Sequence, residues 1–463
     1  MTNGSGEGSS PAKGRWAAGY LLALAFAVAA FLFIRHLGGG LAAPAPLRGG
    51  DVLGAVTSKN DALMHVLLAL AVIIVTARAV GFLFAMMKQP PVIGEVIAGL
   101  VLGPSLLGRF VPDASTFLLP PSVAPFLAVL SQVGVLLYMF MVGLELDLDL
   151  VKNQSRATLA ISHASIVVPF LLGSGLALLL YPRLSAADVS FTVFALFCGV
   201  AMSVTAFPVL ARILTDRRLH KSPLGTVALT CAAVDDVTAW CLLAFVVSVA
   251  NTRLESAFET LGLSGAFLVL MLAVVRPRVR KLVARMDSEK PVSKTAIALA
   301  LVAVLISALA TEWIGIHAIF GAFVMGAIVP HESALARELA HKLEDVVVIL
   351  LLPAFFAYTG MRTQIGLVAG VSQWLLCGLV IAAASAGKFG GTLLAARLAG
   401  LGTRDAAALG ILMNTRGLME LIVLNIGLDL KVISPTLFAM FVIMAVVTTL
   451  ATTPILHVLA RIN

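Results

Sequence analysis

Charge is scarce in this chain. Only 12% of its 463 residues are charged, while 60% are apolar, and the mean hydropathy is +1.03. Soluble domains carry roughly 25% charged and about 45–50% apolar residues. That shortfall excludes a disordered protein, a coiled coil and an ordinary soluble enzyme. Cysteine is scarce as well. Cys198, Cys231, Cys241 and Cys377 each stand inside an apolar stretch, with no CxxC or Cys/His ligand spacing. They read as small buried hydrophobes, which leaves no support for a disulfide framework or a zinc site. No GxxxxGK[ST] run occurs, and no polar region is large enough for a nucleotide domain, so ATP-driven transport is not expected. Nothing calls for a cofactor. The net charge of +8 does not need nucleic acid as a partner, because membrane proteins collect Lys and Arg in cytoplasmic loops.

What is abundant is long apolar runs. A spanning helix needs about 17–25 mostly apolar residues. That rule predicts an all-α polytopic membrane protein with 13–14 transmembrane helices, from fourteen candidate segments: 17–34, 62–86, 91–108, 123–144, 157–180, 189–214, 223–250, 259–276, 294–312, 315–330, 345–361, 372–397, 404–427 and 434–460. With the N-terminus cytoplasmic, the even-numbered loops hold Arg212, Arg217, Arg218 and Lys221, then Arg276, Arg278, Arg280, Lys281, Arg285, Lys290 and Lys294. About two-thirds of the 32 basic residues then lie inside, the expected asymmetry. Both termini are placed in the cytoplasm if the first segment is retained. Leu41-Ala-Ala-Pro-Ala45 after that segment would also suit a signal-peptide cleavage site. Arg35 and His36 directly after the apolar run favour a retained helix. Residues 1–60 therefore read as tail, first helix and linker, and 61–463 as the main membrane domain.

Two pairs of segments repeat a pattern. Gly94-x4-Gly99-x4-Pro104 in the third matches Gly321-x4-Gly326-x3-Pro330 in the tenth. Phe140-Met-Val-Gly143-Leu144 in the fourth matches Ala357-Tyr-Thr-Gly360-Met361 in the eleventh. Each pair lies seven spans apart, so matched helices cross the membrane in opposite directions, as in an inverted-topology repeat. Close helix packing alone could also select such glycines. The same offset pairs segment six, with Ser203-Val-Thr205-Ala-Phe-Pro208, and segment thirteen, with Asn414-Thr-Arg416-Gly417. A proline inside one and a polar run inside the other predict two broken helices, and such a pair points to an ion site at mid-membrane.

Intramembrane charge is concentrated in three spans. Asp235 and Asp236 are the only ionisable side chains from Pro223 to Ala250 apart from two cysteine thiols. Each carboxylate costs roughly 2.5–3.5 kcal/mol at mid-helix. Two adjacent carboxylates cannot both ionise cheaply, and one that holds a proton can trade it for a cation. Lys388 stands alone among apolar and small residues, and the Asp pair is its natural partner, either in the transport cycle or as a static brace. One Lys cannot neutralise both. Arg416 and Glu420, four apart on one helical face, read as a bracing pair beside the break. Glu95 is a pH sensor or a packing residue. Glu145 and Asp147 read as interfacial, Glu312 and His317 as a satisfied loop pair, and His65 as ordinary.

Five stretches in this order resemble the monovalent cation:proton antiporters, in the branch of Kef-type systems and plant-type cation/H+ exchangers. They are Pro91-Val-Ile-Gly-Glu-Val-Ile-Ala-Gly-Leu-Val-Leu-Gly-Pro104, Phe140-Met-Val-Gly-Leu-Glu145, Ser203-Val-Thr-Ala-Phe-Pro-Val-Leu-Ala-Arg212, Ala232-Ala-Val-Asp-Asp-Val-Thr-Ala-Trp240 and Asn414-Thr-Arg-Gly-Leu-Met-Glu-Leu-Ile-Val-Leu-Asn425. The resemblance covers roughly residues 62–460. It implies two crossed broken helices beside the aspartate helix, an elevator-like core and a homodimer in the plasma membrane. It makes Asp236 the carrier of proton and transient monovalent cation, Asp235 the position that is Asn or Asp among relatives, and Lys388 its basic partner. Thr205 falls where hydroxyl and backbone oxygens approach the ion, with Ser203, Asn414, Arg416, Glu420 and Glu95 in support. Kef-type systems carry a C-terminal nucleotide-binding domain; this chain ends at Asn463, so none is expected on it. The expected activity is exchange of protons for K+ or Na+, with two protons or one per cation. A K+ uniporter or channel-like conduit and a non-transporting membrane sensor are the alternatives.

Overall fold

In a bilayer no water satisfies the backbone, so a chain this apolar must close its hydrogen bonds within helices or a sealed barrel. A computed structural model describes residues 11–41, 59–146, 156–217, 219, 222–251, 254–286 and 292–461, and they are almost entirely helical. Asp147, Arg218, Lys221, Lys290, the tail before Pro11 and linker residues 42–58 lie outside the described residues.

The helices used below are α1 (Pro11–Gly38), α2 (Lys59–Met86), α3 (Pro91–Leu102), α4 (Ala124–Glu145), α5 (Arg156–Leu184), α6 (Phe191–Ser203), α7 (Phe207–Asp216), α8 (Pro223–Asn251), α9 (Leu254–Val269) and α10 (Arg276–Met286). They continue with α11 (Lys294–Ile314), α12 (Ala318–Ile328), α13 (Ala334–Val346), α14 (Leu352–Arg362), α15 (Gly370–Ser385), α16 (Gly391–Leu398), α17 (Thr403–Met413), α18 (Leu418–Asp429) and α19 (Pro435–Arg461). Among the described residues, eleven helices are long and apolar enough to span a membrane. The pair α17 and α18, bent by 44°, makes a twelfth, and Leu22–Gly38 and Ala318–Ile328 are shorter apolar helices. Every expected segment thus has its helix, although several run further than expected. The eleventh segment begins at Ala334, because the amphipathic α13 runs through a π-turn at Val347–Leu351 into α14.

Two helix groups share the core. In one, α2 packs on α3, α3 on α14, α14 on α4, α4 on α12 and α12 on α11. In the other, α5 packs on α6, α8 and α16, while α17 and α18 lie against α19. The first group carries the repeated glycines at matching contacts. A Cβ on Gly99 of α3 would strike the Phe356 carbonyl of α14, and one on Gly360 would strike the Gly99 carbonyl. In the mirror-related contact, a Cβ on Gly326 of α12 would strike the Phe140 carbonyl of α4, and one on Gly143 the Phe323 carbonyl. Close packing and inverted repetition are therefore not rival readings here: the repeat sets two equivalent crossings, and each needs glycine to let backbones touch.

The first helix continues through Arg35 and His36 to Gly38 and packs on α5 and α6, with the Phe31 and Phe170 rings 6.0 Å apart. One expectation is corrected. Cys198, Cys231 and Cys377 are buried, but Cys241 is exposed on the outer face of α8, where a weakly polar thiol can meet lipid without an unpaired strong donor.

Candidate functional site

The break in the first interrupted helix falls at Val204–Ala206, between α6 and α7. Pro208 sits in the first turn of α7, where its missing amide costs nothing because that amide would have no helical partner. The second break, at Asn414–Gly417, separates α17 from α18. The two breaks touch. The Ala206 amide donates to the Thr415 carbonyl at 3.0 Å, and the Thr205 hydroxyl lies 3.3 Å from the Met413 carbonyl. Each interrupted strand of backbone thus satisfies part of the other. Thr449 of α19 completes the second break: its hydroxyl accepts from the Arg416 amide at 2.8 Å and lies 2.7 Å from the Arg416 carbonyl.

Arg416 closes the first break from the other side. Its guanidinium donates to the carbonyls of Ala201 (2.9 Å) and Met202 (2.7 Å), the open C-terminal end of α6, and pairs with Glu420 at 2.8 Å. A cation at a helix C-terminus meets both the unpaired carbonyls and the negative end of the dipole. The bracing pair expected from the i, i+4 spacing is present, and its larger contact is with α6.

Beside this crossing stand the two aspartates, both buried on α8. Lys388 reaches Asp235 from a π-turn, Ala386–Gly390, between α15 and α16. Such turns insert an extra residue and re-aim a side chain. Gly387 and Gly391 let that segment press against Pro169 and Val168 of α5, where a Cβ would collide. Lys388 Nζ then lies 3.1 Å from Asp235 Oδ2 and 2.5 Å from the Thr205 hydroxyl, with both ends of the ion pair fully buried. Thr205 lies 2.9 Å from the same carboxylate oxygen.

Two residues of α5 join the cluster unforeseen. Ser162 Oγ lies 2.6 Å from Asp235 Oδ1, and Ser165 Oγ lies 2.5 Å from Asp235 Oδ2. Their i, i+3 spacing in a span was the available signal, but membrane serines commonly bond their own helix and give no such warning. Asp235 thus has four donors. Asp236, 2% exposed, has none that satisfies hydrogen-bond geometry among the described residues; the Phe207 amide approaches it without that alignment.

The other expected residues stand around this centre. Ser203 donates within α6 and toward α5, to the carbonyls of Gly199 (2.7 Å) and Ile166 (3.0 Å). The Asn414 side-chain oxygen is buried without a partner among the described residues. Glu95 is not drawn into the aspartate cluster. It is buried on α3 at a cleft between α2 and α3, lined by Arg78, Gly81, Phe82 and Pro91. Glu312, in the last turn of α11, and His317, just before α12, are satisfied separately: Glu312 accepts from the Ala318 amide at 2.9 Å, and the His317 ring caps α12.

Crossed half-helices beside a buried carboxylate pair, on an inverted repeat, define a membrane carrier of the antiporter fold. Residues 66–461 match the family model described as sodium/hydrogen exchanger, transmembrane, and the chain belongs to that family. It is 47% identical to the Na(+)/H(+) antiporter NhaS4 of Synechocystis, over 86% of this chain and 97% of that one. It is 40% identical to cation/H(+) antiporter 20 of Arabidopsis thaliana and 34% identical to K(+)/H(+) antiporter 1 of Saccharomyces cerevisiae. These alignments cover 85% and 88% of this chain, but only 48% of either relative. The solved sodium proton antiporter MjNhaP1 of Methanocaldococcus jannaschii shares the fold, with a TM-score of 0.62 at 14% identity over 86% of this chain and 99% of that one.

Proposed function

We propose that residues 61–463 form a secondary transporter that exchanges protons for a monovalent cation, Na+ or K+, by alternating access. One observation carries the reading: of two adjacent buried carboxylates at the helix crossing, Asp235 has four donors and Asp236 has none in hydrogen-bond geometry among the described residues. A buried carboxylate without donors is costly as an anion unless a proton or a cation joins it. Asp236 is thus the carrier, taking one or the other and never both. Lys388 holds Asp235 while the cation is away and yields when it enters, with Thr205 moving from this pair toward the ion. Ser203, Asn414, Arg416 and Glu420 keep the crossing in shape, and Glu95 stands by the cleft on the cytoplasmic side. The names of the relatives, which cover Na+ and K+ exchange alike, support the class of activity.

The positive-inside asymmetry supports a placement with the residues before the first helix and after the last in the cytoplasm, and the family resemblance supports a homodimer in the plasma membrane.

Proteoliposomes with an interior pH dye test the reading. Adding Na+ or K+ to wild type should move protons, and Asp236→Asn should lose at least 100-fold of that flux, roughly the loss when an obligatory charged group is removed. Intact exchange in Asp236→Asn would sink the mechanism. Labelled cation crossing without protons would establish a conduit instead, and silence in both assays a sensor.

A further inference from the structure

A cleft of about 420 Å³ lies away from the helix crossing, between α2 and α3. That volume falls within the range of small-molecule sites. Its shape follows from the sequence. Ala77, Gly81 and Ala85, spaced four apart on one face of α2, give it a floor of small residues, with Arg78 beside them. Pro91 and Glu95, again four apart, face them from α3. The two helices are pinned where a Cβ on Gly94 would lie 2.7 Å from Gly81 Cα. The outer flank of α2 beside the cleft is apolar, with Phe82, Leu83 and Met86 all exposed, and in a bilayer it meets acyl chains.

Two opposite charges line this cleft and are not closed on each other. Arg78 is exposed on α2, and Glu95 is buried on α3. The field of Arg78 reaches Glu95, as does that of Arg212 on α7, yet neither Arg78 nor Glu95 has a hydrogen bond or an ion pair among the described residues. A charged side chain within a span is costly until something polar joins it. Arg78 stands about 12 Å of axial rise before Met86, a depth from which a long arginine still reaches the interface. Held apart, the two side chains offer a cation and an anion to one guest.

We propose that this cleft binds a zwitterionic membrane lipid carrying a primary amine. Its phosphate rests on the Arg78 guanidinium, its ammonium on the Glu95 carboxylate, and its chains lie over Phe82, Leu83 and Met86. This goes beyond the transport reading and does not depend on it; only the choice of the cytoplasmic leaflet rests on the placement proposed above. A guanidinium offers phosphate a forked pair of donors. A carboxylate needs N–H donors, which a primary ammonium has and a quaternary one lacks. An anionic lipid without an amine would satisfy Arg78 and leave Glu95 beside a second negative charge. A soluble amine phosphate would keep the charge contacts but lose the burial of chains against the apolar flank.

Native mass spectrometry of the purified protein in detergent tests this, with phosphatidylethanolamine, phosphatidylcholine and phosphatidylglycerol of one chain length added in turn. Wild type should hold one equivalent of phosphatidylethanolamine per chain about tenfold more tightly than either of the others, the scale of one charge-assisted hydrogen bond. Arg78→Gln should weaken phosphatidylethanolamine about tenfold, and Glu95→Gln should bring it down to the level of phosphatidylcholine. Gly81→Leu changes no charge but fills the cleft: a Cβ there already lies 3.5 Å from the Pro91 carbonyl and 3.7 Å from Glu95 Cγ, and the added branch should exclude the lipid. The three-lipid comparison on wild type needs no variant, so it covers the case in which a variant does not fold. Equal retention of the three lipids by wild type overturns the inference, as does unchanged affinity for phosphatidylethanolamine in any of the folded variants. Displacement of the lipid by soluble phosphoethanolamine at equal concentration overturns it too, since the site would then take the headgroup alone. No step reads transport, so failure of the antiport reading and failure of this one are told apart.

Discussion

Asp235 and Asp236 are consecutive residues of one helix, and the fold treats them in opposite ways. Asp235 faces α5, the π-turn and the first helix break, and collects Ser162, Ser165, Thr205 and Lys388. Asp236 is turned by one helical step toward the start of α7 and has no hydrogen bond among the described residues. A step of 100° between neighbours is enough to turn one carboxylate into a cluster of donors and the other away from it. Sequence position alone makes the two residues look equivalent. Their environments do not: one carboxylate has four hydrogen-bond donors and the other has none in hydrogen-bond geometry among the described residues.

The buried Lys388–Asp235 pair predicts a specific pattern of stability. Lys388→Met leaves Asp235 buried without its cation, and breaking a buried pair from one side costs about 3–5 kcal/mol. Replacing both ends by Asp235→Asn with Lys388→Met should recover most of that loss, because no uncompensated charge remains. Thermal unfolding of the purified protein in detergent, run as a double-mutant cycle, measures the difference. Two single variants whose losses simply add would show that the residues do not interact energetically.

Arg416 should not tolerate lysine. Its guanidinium spans two carbonyls of α6 and the Glu420 carboxylate at once, a forked geometry that an ammonium cannot reproduce. Arg416→Lys is expected to lower the exchange rate about tenfold or more by loosening the first half-helix at the crossing, an effect on the scale of one charge-assisted hydrogen bond. Glu420→Gln leaves both carbonyl contacts and should cost less. Equal rates in all three proteins, measured by cation-driven proton flux, would remove Arg416 from the mechanism.

The glycine crossings make a prediction with its own control. Ala at Gly99 or Gly326 should destabilise by about 1–3 kcal/mol, the usual cost of forcing a methyl into a packed contact. Ala at Gly262 or Gly378, where a Cβ meets nothing within 4 Å, should be close to neutral. Melting temperatures in one detergent compare all four. Because Gly99 and Gly326 occupy matching places in the repeat, a large effect at one and none at the other would contradict the equivalence of the two crossings.

How far the site could be read from sequence depended on what each residue costs in a membrane. Asp235, Asp236 and Lys388 stand out because a charge at mid-span is expensive, and the broken helices stand out because proline and a polar run cannot continue a lipid-facing helix. Ser162 and Ser165 were invisible by the same logic, since a hydroxyl is cheap there and normally bonds its own helix. Arg416 was legible as a partner of Glu420, but its grip on the carbonyls of Ala201 and Met202 comes from tertiary contact between segments more than 200 residues apart. Cys241 was misplaced because an apolar run does not say which of its faces meets lipid.

A final prediction concerns motion. Arg362, at the end of α14, pairs with Asp429 of α18 at 2.6 Å and donates to Asn425 at 3.1 Å, while Asn425 bonds Thr359. This chain of contacts ties the glycine-packed group to the group that holds the ion site. The Arg362–Asp429 pair is partly exposed, and such a pair contributes only about 0–1 kcal/mol, so it can open without a large barrier. If alternating access slides one group past the other, the contact must part in each cycle. With the native cysteines replaced by alanine, Arg362→Cys combined with Asp429→Cys offers a place to bridge the groups with a short bifunctional thiol reagent. Bridging should stop cation-driven proton flux, and a cleavable bridge should release it on reduction. Undiminished flux through the bridged protein would mean that α14 and α18 stay together throughout transport, and the moving boundary would have to be sought elsewhere in the bundle.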